Sequence, residues 1–134
     1  MLYKLMSDEN ILEKICYCKN NEIFLDYPYF KKLTHTLNKT MLDIVIAHFI
    51  KTIDLALLNI PLVIIHLNIK SLSLTDVDKY YSFIKQNAEV MKTKYPDKLD
   101  KCIIYNAPSI FKQLFSLVLC LMDKETHHKF HVHA

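Results

Sequence analysis

The 134-residue chain contains no glycine at all, where average usage would supply roughly nine. That absence excludes whole classes of site. A glycine-rich loop that cradles phosphates is not available, nor is the strained nucleophile elbow of the hydrolases. Any backbone position that needs positive φ falls to Asn or Asp, the residues that tolerate it best after glycine. Long apolar runs are also missing. The longest, Ile60–Ile65 and Leu117–Met122, fall far short of the roughly twenty residues that cross a bilayer. Charge of one sign is scarce too. A formal net charge of +3, with no lysine run interleaved with aromatics, argues against a nucleic-acid partner. It remains compatible with an anionic membrane surface. The four cysteines, Cys16, Cys18, Cys102 and Cys120, have neither zinc nor thioredoxin spacing and suit a reducing compartment. No charged n-region followed by an apolar h-region opens the chain. A cytoplasmic location with peripheral membrane contact is therefore expected.

Half the residues are apolar, enough for a real core in a single domain. Residues 7–18 carry helical spacing at Ile11, Leu12, Ile15 and Cys16, with Ser7 as the N-cap. Glu22–Phe30 alternates and reads as a strand, with Pro28 arguing for a sheet edge. Thr40-x-x-Asp43 resembles a capping box, and the helix that follows, through Leu58, is apolar on nearly every side and expected to be mostly buried. Asn59–Pro61 ends it. Leu62–Leu67 is a near-continuous apolar run of the kind found in parallel strands covered on both faces. Thr75-x-x-Asp78 opens a second capped helix. Val77, Tyr80 or Tyr81, Ile84, Ala88 and Met91 form its inner stripe, and Lys79, Lys85 and Lys92 lie outside it.

The organising stretch is Tyr95–Phe111. Pro96 stops the preceding helix, and Cys102–Tyr105 forms a short central strand. Asn106–Pro108 breaks it, and a helix runs from Ser109 to Met122 with only Lys112, Gln113 and Ser116 as a polar strip. Asp123–Lys129 reads as a helical turn and Phe130–His133 as a last strand. Strand–helix–strand order implies right-handed crossovers and a mainly parallel sheet. The fold class is α/β, a mixed, mainly parallel sheet flanked by helices. An N-terminal helical segment spans 1–21 and an α/β core spans 22–134.

Tyr95-Pro96, the acidic–basic pair Asp97-Lys98 and the Asn106-Ala107-Pro108 segment before a Phe-rich helix resemble the CRAL-TRIO lipid-binding family, over residues 22–134. The resemblance implies a minimal version in which the usual N-terminal helical lobe is missing or reduced to residues 7–18. It implies non-enzymatic binding, and transfer between membranes, of a phosphoinositide, another phospholipid or a small hydrophobic ligand. No cofactor beyond a bound lipid is expected. In that family the helix after Asn-Ala-Pro lids the pocket, which places Phe111, Phe115 and Val118 at the gate. Val63, Ile65 and Leu67 would form an apolar floor, and Asp97 and Lys98 would meet a head group. Asn68 stands where the family has an acidic residue. Two bland readings run beside these: the broad apolar helix as ordinary core, and Asp97-Lys98 as a solvated loop. A pocketless protein-interaction module is the alternative function. Missing covering elements would leave a bare sheet edge or face, which points to a dimer. His127, His128, His131 and His133 could chelate a metal only with a third ligand that no spacing supplies, and His66 reads as a hydrogen-bonded core residue.

Overall fold

The computed structural model describes residues 9–33 and 38–133. The Ser7 cap expected from the sequence lies outside them. The elements are α1 (Glu9–Ile15), β1 (Cys16–Lys19), β2 (Glu22–Asp26), α2 (Tyr27–Lys31), α3 (Lys39–Ala56), β3 (Val63–Asn68), α4 (Leu74–Lys79), α5 (Tyr81–Thr93), β4 (Leu99–Tyr105), α6 (Phe111–Leu119), α7 (Lys124–His127) and β5 (Phe130–Val132). One sheet takes the strands in chain order, β1-β2-β3-β4-β5. The β1–β2 pair is antiparallel and the other three pairs are parallel. The mixed, mainly parallel α/β architecture is therefore present.

Without glycine, left-handed backbone falls to other residues. Asn20, Asp97 and Asn106 have φ of 56°, 59° and 59°, as the absence of glycine requires. Ser71, with φ 72°, is the exception. Each sits at a sharp change of direction. Asn20 turns the β1–β2 hairpin, Asp97 leads into β4, and Asn106 ends it. The Asn106 side chain donates to Asn68 Oδ1 at 2.9 Å, which ties the ends of β4 and β3 together.

Several local expectations are corrected. Cys16–Lys19 is a strand, not the end of a helix, and it covers the outer edge of β2. Pro28 therefore does not mark a sheet edge. It lies in the first turn of α2, where its missing N–H has no partner to lose. Asp26 caps that helix by accepting from the Tyr29 N–H at 3.1 Å. The cap of α3 is Asn38, whose side chain accepts from the Met41 N–H, so Thr40 lies inside the helix. The second capping box exists two residues earlier than the Thr75 pattern. Ser73 and Asp76 exchange side-chain and backbone hydrogen bonds, and the expected single helix is broken at Tyr80 into α4 and α5.

Helix α3 is one-sided rather than mostly buried. Met41, Val45, Phe49, Ile53 and Ala56 recur at helical spacing and pack inward. Leu55 stays half exposed and Leu58, just past the helix, is 72% exposed. The His48 ring donates to the Cys16 carbonyl at 2.8 Å and pins the helix to β1. The Tyr95 hydroxyl donates to Asp54 at 2.6 Å and joins the end of α5 to the same helix.

The two faces of the sheet differ. Ile23, Val63, Ile65, Cys102 and Ile104 point to the buried side. Tyr17, Phe24, Ile64, His66, Ile103 and Tyr105 point the other way and do not belong to the packed core. Helices α1 to α6 each contribute apolar side chains to the packed core.

Candidate ligand cavity

An apolar cavity of about 470 Å³ lies between the buried sheet face and the helices. Leu25, Ile65, Leu67, Cys102 and Ile104 form its floor. They belong to three parallel strands in register, with Ile65 beside Cys102 and Leu67 beside Ile104, so period-two alternation sends them to one side. Val45 and Phe49 of α3, with Phe83, Ile84 and Met91 of α5, form the walls. Phe111 closes one flank and Leu121 and Met122 another. Phe111 packs on Phe115 with ring centroids 5.3 Å apart, and Phe115 meets Phe130 edge-on at 5.9 Å. Helix α6 is thus held to the sheet by an aromatic cluster at its first turns.

Of the residues expected from the sequence, Ile65, Leu67, Phe111 and Asp97 line the cavity. Val63 is fully buried in the same strand without lining it, and Phe115 supports Phe111 from behind. Lys98 is exposed and does not line the cavity, and its carbonyl accepts from the Val63 N–H at 2.8 Å. The Val118 side chain lies outside the described residues. Lys92 and Asp123 stand at the cavity rim 3.8 Å apart, an exposed pair that contributes little.

Reasoning from the sequence missed the polar end. Tyr27, Asp76 and Tyr80 also line the cavity. Asp76 forms an ion pair with Lys31 at 3.4 Å, and Lys31 also donates to the Ser71 carbonyl. Burial pushes the Asp76 carboxyl up, but Tyr27, the Ser73 N–H and Lys31 outweigh it and hold it below the usual value. Burial, then the nearby Asp76, raises the Tyr27 phenol. The Tyr27 hydroxyl faces the Asp76 carboxylate, its natural acceptor, just outside ordinary hydrogen-bond geometry, and the Tyr80 hydroxyl is buried with no partner among the described residues. The Ser-x-x-Asp pattern at Ser73 was the available signal, hidden by the equally good Thr75 pattern two residues on.

The other polar clusters are accounted for. His66 is hydrogen-bonded, as expected, but on the open sheet face rather than in the core. Its Nε2–H donates to Glu22 at 2.8 Å, and Nδ1 lies 2.8 Å from the Tyr105 hydroxyl. His127 donates to the Leu119 and Met122 carbonyls. Among the described residues no cluster of His, Cys, Asp or Glu could hold a metal ion. Cys16 and Cys102 are buried thiols, raised by burial to about 12, and therefore poor nucleophiles. No helix among the described residues is long and apolar enough to cross a membrane.

Comparison with known proteins fits this geometry. Residues 29–134 match the CRAL/TRIO domain family. A Sec14 cytosolic factor of Schizosaccharomyces pombe is 29% identical over 66 residues, 49% of this chain and 23% of that protein. A SEC14 cytosolic factor of Yarrowia lipolytica is 31% identical over 68 residues, 51% of this chain and 14% of that protein. The crystal structure of Sfh5 superimposes with a TM-score of 0.73 at 16% identity, covering 98% of this chain and 55% of that one. The chain thus spans about half the length of Sfh5, and its aligned segments span less than a quarter of the two curated relatives. The likeness to Sfh5 shows the fold, and the family match over most of the length shows membership: this chain belongs to the CRAL/TRIO domain family.

Proposed function

We propose that the chain binds a lipid or other small hydrophobic ligand in the cavity over β2, β3 and β4, and carries it between membranes without chemical change. The observation that carries this reading is an apolar chamber of about 470 Å³ within a family-typical fold. Each acyl methylene moved from water into such a chamber contributes about 0.8 kcal/mol. A long-chain lipid therefore escapes into water too slowly to be useful, and exchange has to occur on a membrane. Exposed Leu58, Ile60 and Leu62, between α3 and β3, suit that contact. The loop leads into Val63, whose N–H donates to the Lys98 carbonyl at 2.8 Å, and Asp97 lines the cavity. In this proposal Phe111, supported by Phe115 and followed by Val118, forms the gate. Ile65 and Leu67 form the floor, backed by Val63, and Asp97 and Lys98 meet the interface. The named relatives are cytosolic factors, which supports a cytoplasmic site of action. Organic extraction of the purified protein followed by mass spectrometry tests the reading. Stoichiometric lipid supports it; a clean extract together with no uptake of a fluorescent lipid contradicts it.

A second reading, protein–protein interaction, has its own support. Tyr17, Phe24, His66, Tyr105 and His133 stack in sequence across the open face, with successive centroids 5.0, 4.6, 5.7 and 5.9 Å apart. An aromatic row of this kind suits an interaction surface, and we infer a second copy of the chain as the cover. Light scattering at high concentration should give twice the monomer mass; a compact monomer contradicts the dimer.

A further inference from the structure

We infer that two copies of the chain pack their open sheet faces together about a twofold axis along β3, so that Glu22 of each copy meets Lys101 of the other. This arrangement rests on the dimer reading above and goes beyond it by fixing which residues touch. Strand register lays the face out as a grid. One row runs Lys19, Glu22, Ile64 and Lys101 across β1 to β4. The next holds Tyr17, Phe24, His66, Ile103 and His131 across all five strands. A third holds Asp26, Asn68 and Tyr105. The strands thus place two lysines and two carboxylates around a middle of Phe24, Ile64, His66 and Ile103. These four are half-buried in one copy. Among the described residues neither Lys19 nor Lys101 forms an ion pair. Glu22 accepts from His66 with one carboxylate oxygen, and its second oxygen is available to a cation.

Charge decides between the two face-to-face arrangements that centre on His66. A twofold axis across the strands reverses the second copy end to end. It sets Glu22 over the partner's Asp26, like charge on like charge, and Ile64 over the partner's Asn68. An axis along β3 keeps the rows aligned and exchanges β2 with β4. Glu22 then falls over the partner's Lys101, and symmetry gives that pair twice. Phe24 falls over the partner's Ile103, also twice, and Ile64 over the partner's Ile64. Asp26 meets the ring of the partner's Tyr105 rather than a charge. One patch therefore complements itself in shape of charge and in apolar contact, as a closed dimer requires. Aligned sheets cross at about 30°, so the match is best over β2, β3 and β4. Five strands about 4.8 Å apart and about five residues long cover roughly 24 by 17 Å. That is small by the standard of stable complexes, so the dimer is reversible and forms in the micromolar range.

Sedimentation of the full chain over a range of concentrations tests this with two opposite charge changes, Glu22→Lys and Lys101→Glu. Each variant alone should dimerise at least tenfold more weakly than wild type, because both cross-pairs become repulsive. An equimolar mixture of the two should return to within a few-fold of the wild-type constant, because both cross-pairs of the mixed dimer attract. Glu22→Lys also takes the acceptor from His66, so a second route spares it. Glu22→Gln keeps an oxygen for that hydrogen bond. Added to Lys101→Glu, it removes the repulsion and should strengthen the dimer several-fold over Lys101→Glu alone. Circular dichroism confirms that each variant is folded. Single variants that dimerise as well as wild type, a folded mixture that stays monomeric, or a Lys101→Glu dimer that Glu22→Gln does not strengthen overturns this arrangement and leaves the dimer reading standing. A wild-type chain that stays monomeric at high concentration removes the dimer reading and this arrangement with it, and leaves the face to a different partner.

Discussion

Ile103 and Ile104 are neighbours in one strand, yet they face different environments. Ile104 is 2% exposed, packed under the helices and part of the cavity floor. Ile103 stands half-buried on the opposite face, among Phe24, His66, Tyr105 and His131. The same contrast holds between Ile65 and Ile64 in β3. One face walls an apolar chamber that is partly open to solvent, with the unpaired Tyr80 hydroxyl on its lining. The other is laid out as a stacked aromatic row whose polar atoms, Glu22, His66 and Tyr105, satisfy one another. A face that holds unpaired polar atoms is arranged for a guest; a face that pairs its own is arranged to be covered or left alone.

That contrast can be broken residue by residue. Ile104→Ala should cost about 2–5 kcal/mol, as large-to-small changes in packed cores do. Ile103→Ala should cost under about 1 kcal/mol in the monomer, since less of its area leaves water on folding. Urea unfolding of both measures the difference, and equal losses would mean that the open face is covered. Phe111→Asp places a charge on the cavity flank and should lower uptake of a fluorescent lipid at least tenfold, because a buried unpaired charge costs several kcal/mol. Phe115→Asp should reduce uptake less, since Phe115 acts through Phe111. Retained uptake with lowered stability in both variants would mark α6 as plain core. Leu58→Asp should slow transfer between vesicles severalfold with no change in equilibrium loading. Transfer unaffected by that substitution would separate the exposed loop from membrane contact.

Alkaline titration gives a smaller, graded test of the covered face. Burial raises Cys16 and Cys102 from 9.0 to about 12 in the folded chain. Their contribution to stability is therefore complete below pH 9, the unfolded value, and is lost as pH rises toward 12. Cys102→Val should flatten that loss, measured by chemical unfolding at pH 7 and pH 10. An unchanged pH dependence would mean that Cys102 is not desolvated as the structure places it.

Much of the architecture was legible because Val63–Ile65 of β3 and Cys102–Tyr105 of β4 are short apolar runs and the Asn-Ala-Pro break is chemically unambiguous. The boundaries were not. Cys16–Lys19 completes an apolar helical period by sequence, and only pairing with β2 makes it a strand. Pro28 fits a sheet edge or the first turn of a helix equally well until Asp26 is seen capping Tyr29. Two overlapping Ser/Thr-x-x-Asp patterns compete at Ser73 and Thr75, and the packing of Val77 and Tyr80 decides between them. Of the site, Ile65 and Leu67 follow from strand alternation, and Phe111 from the family resemblance of the helix after Pro108. Tyr27 and Tyr80 do not, because whether a tyrosine hydroxyl has a partner depends on what lies across the cavity from it.

Titration of the delipidated chain with a lipid whose emission rises in apolar surroundings tests the central claim most directly. An apolar chamber walled by the sheet and helices predicts saturable uptake near one ligand per chain, with emission largely shielded from aqueous quenchers and lost in Phe111→Asp. A folded chain that shows no saturable uptake, or whose bound probe is quenched as readily as on an open surface, would contradict it.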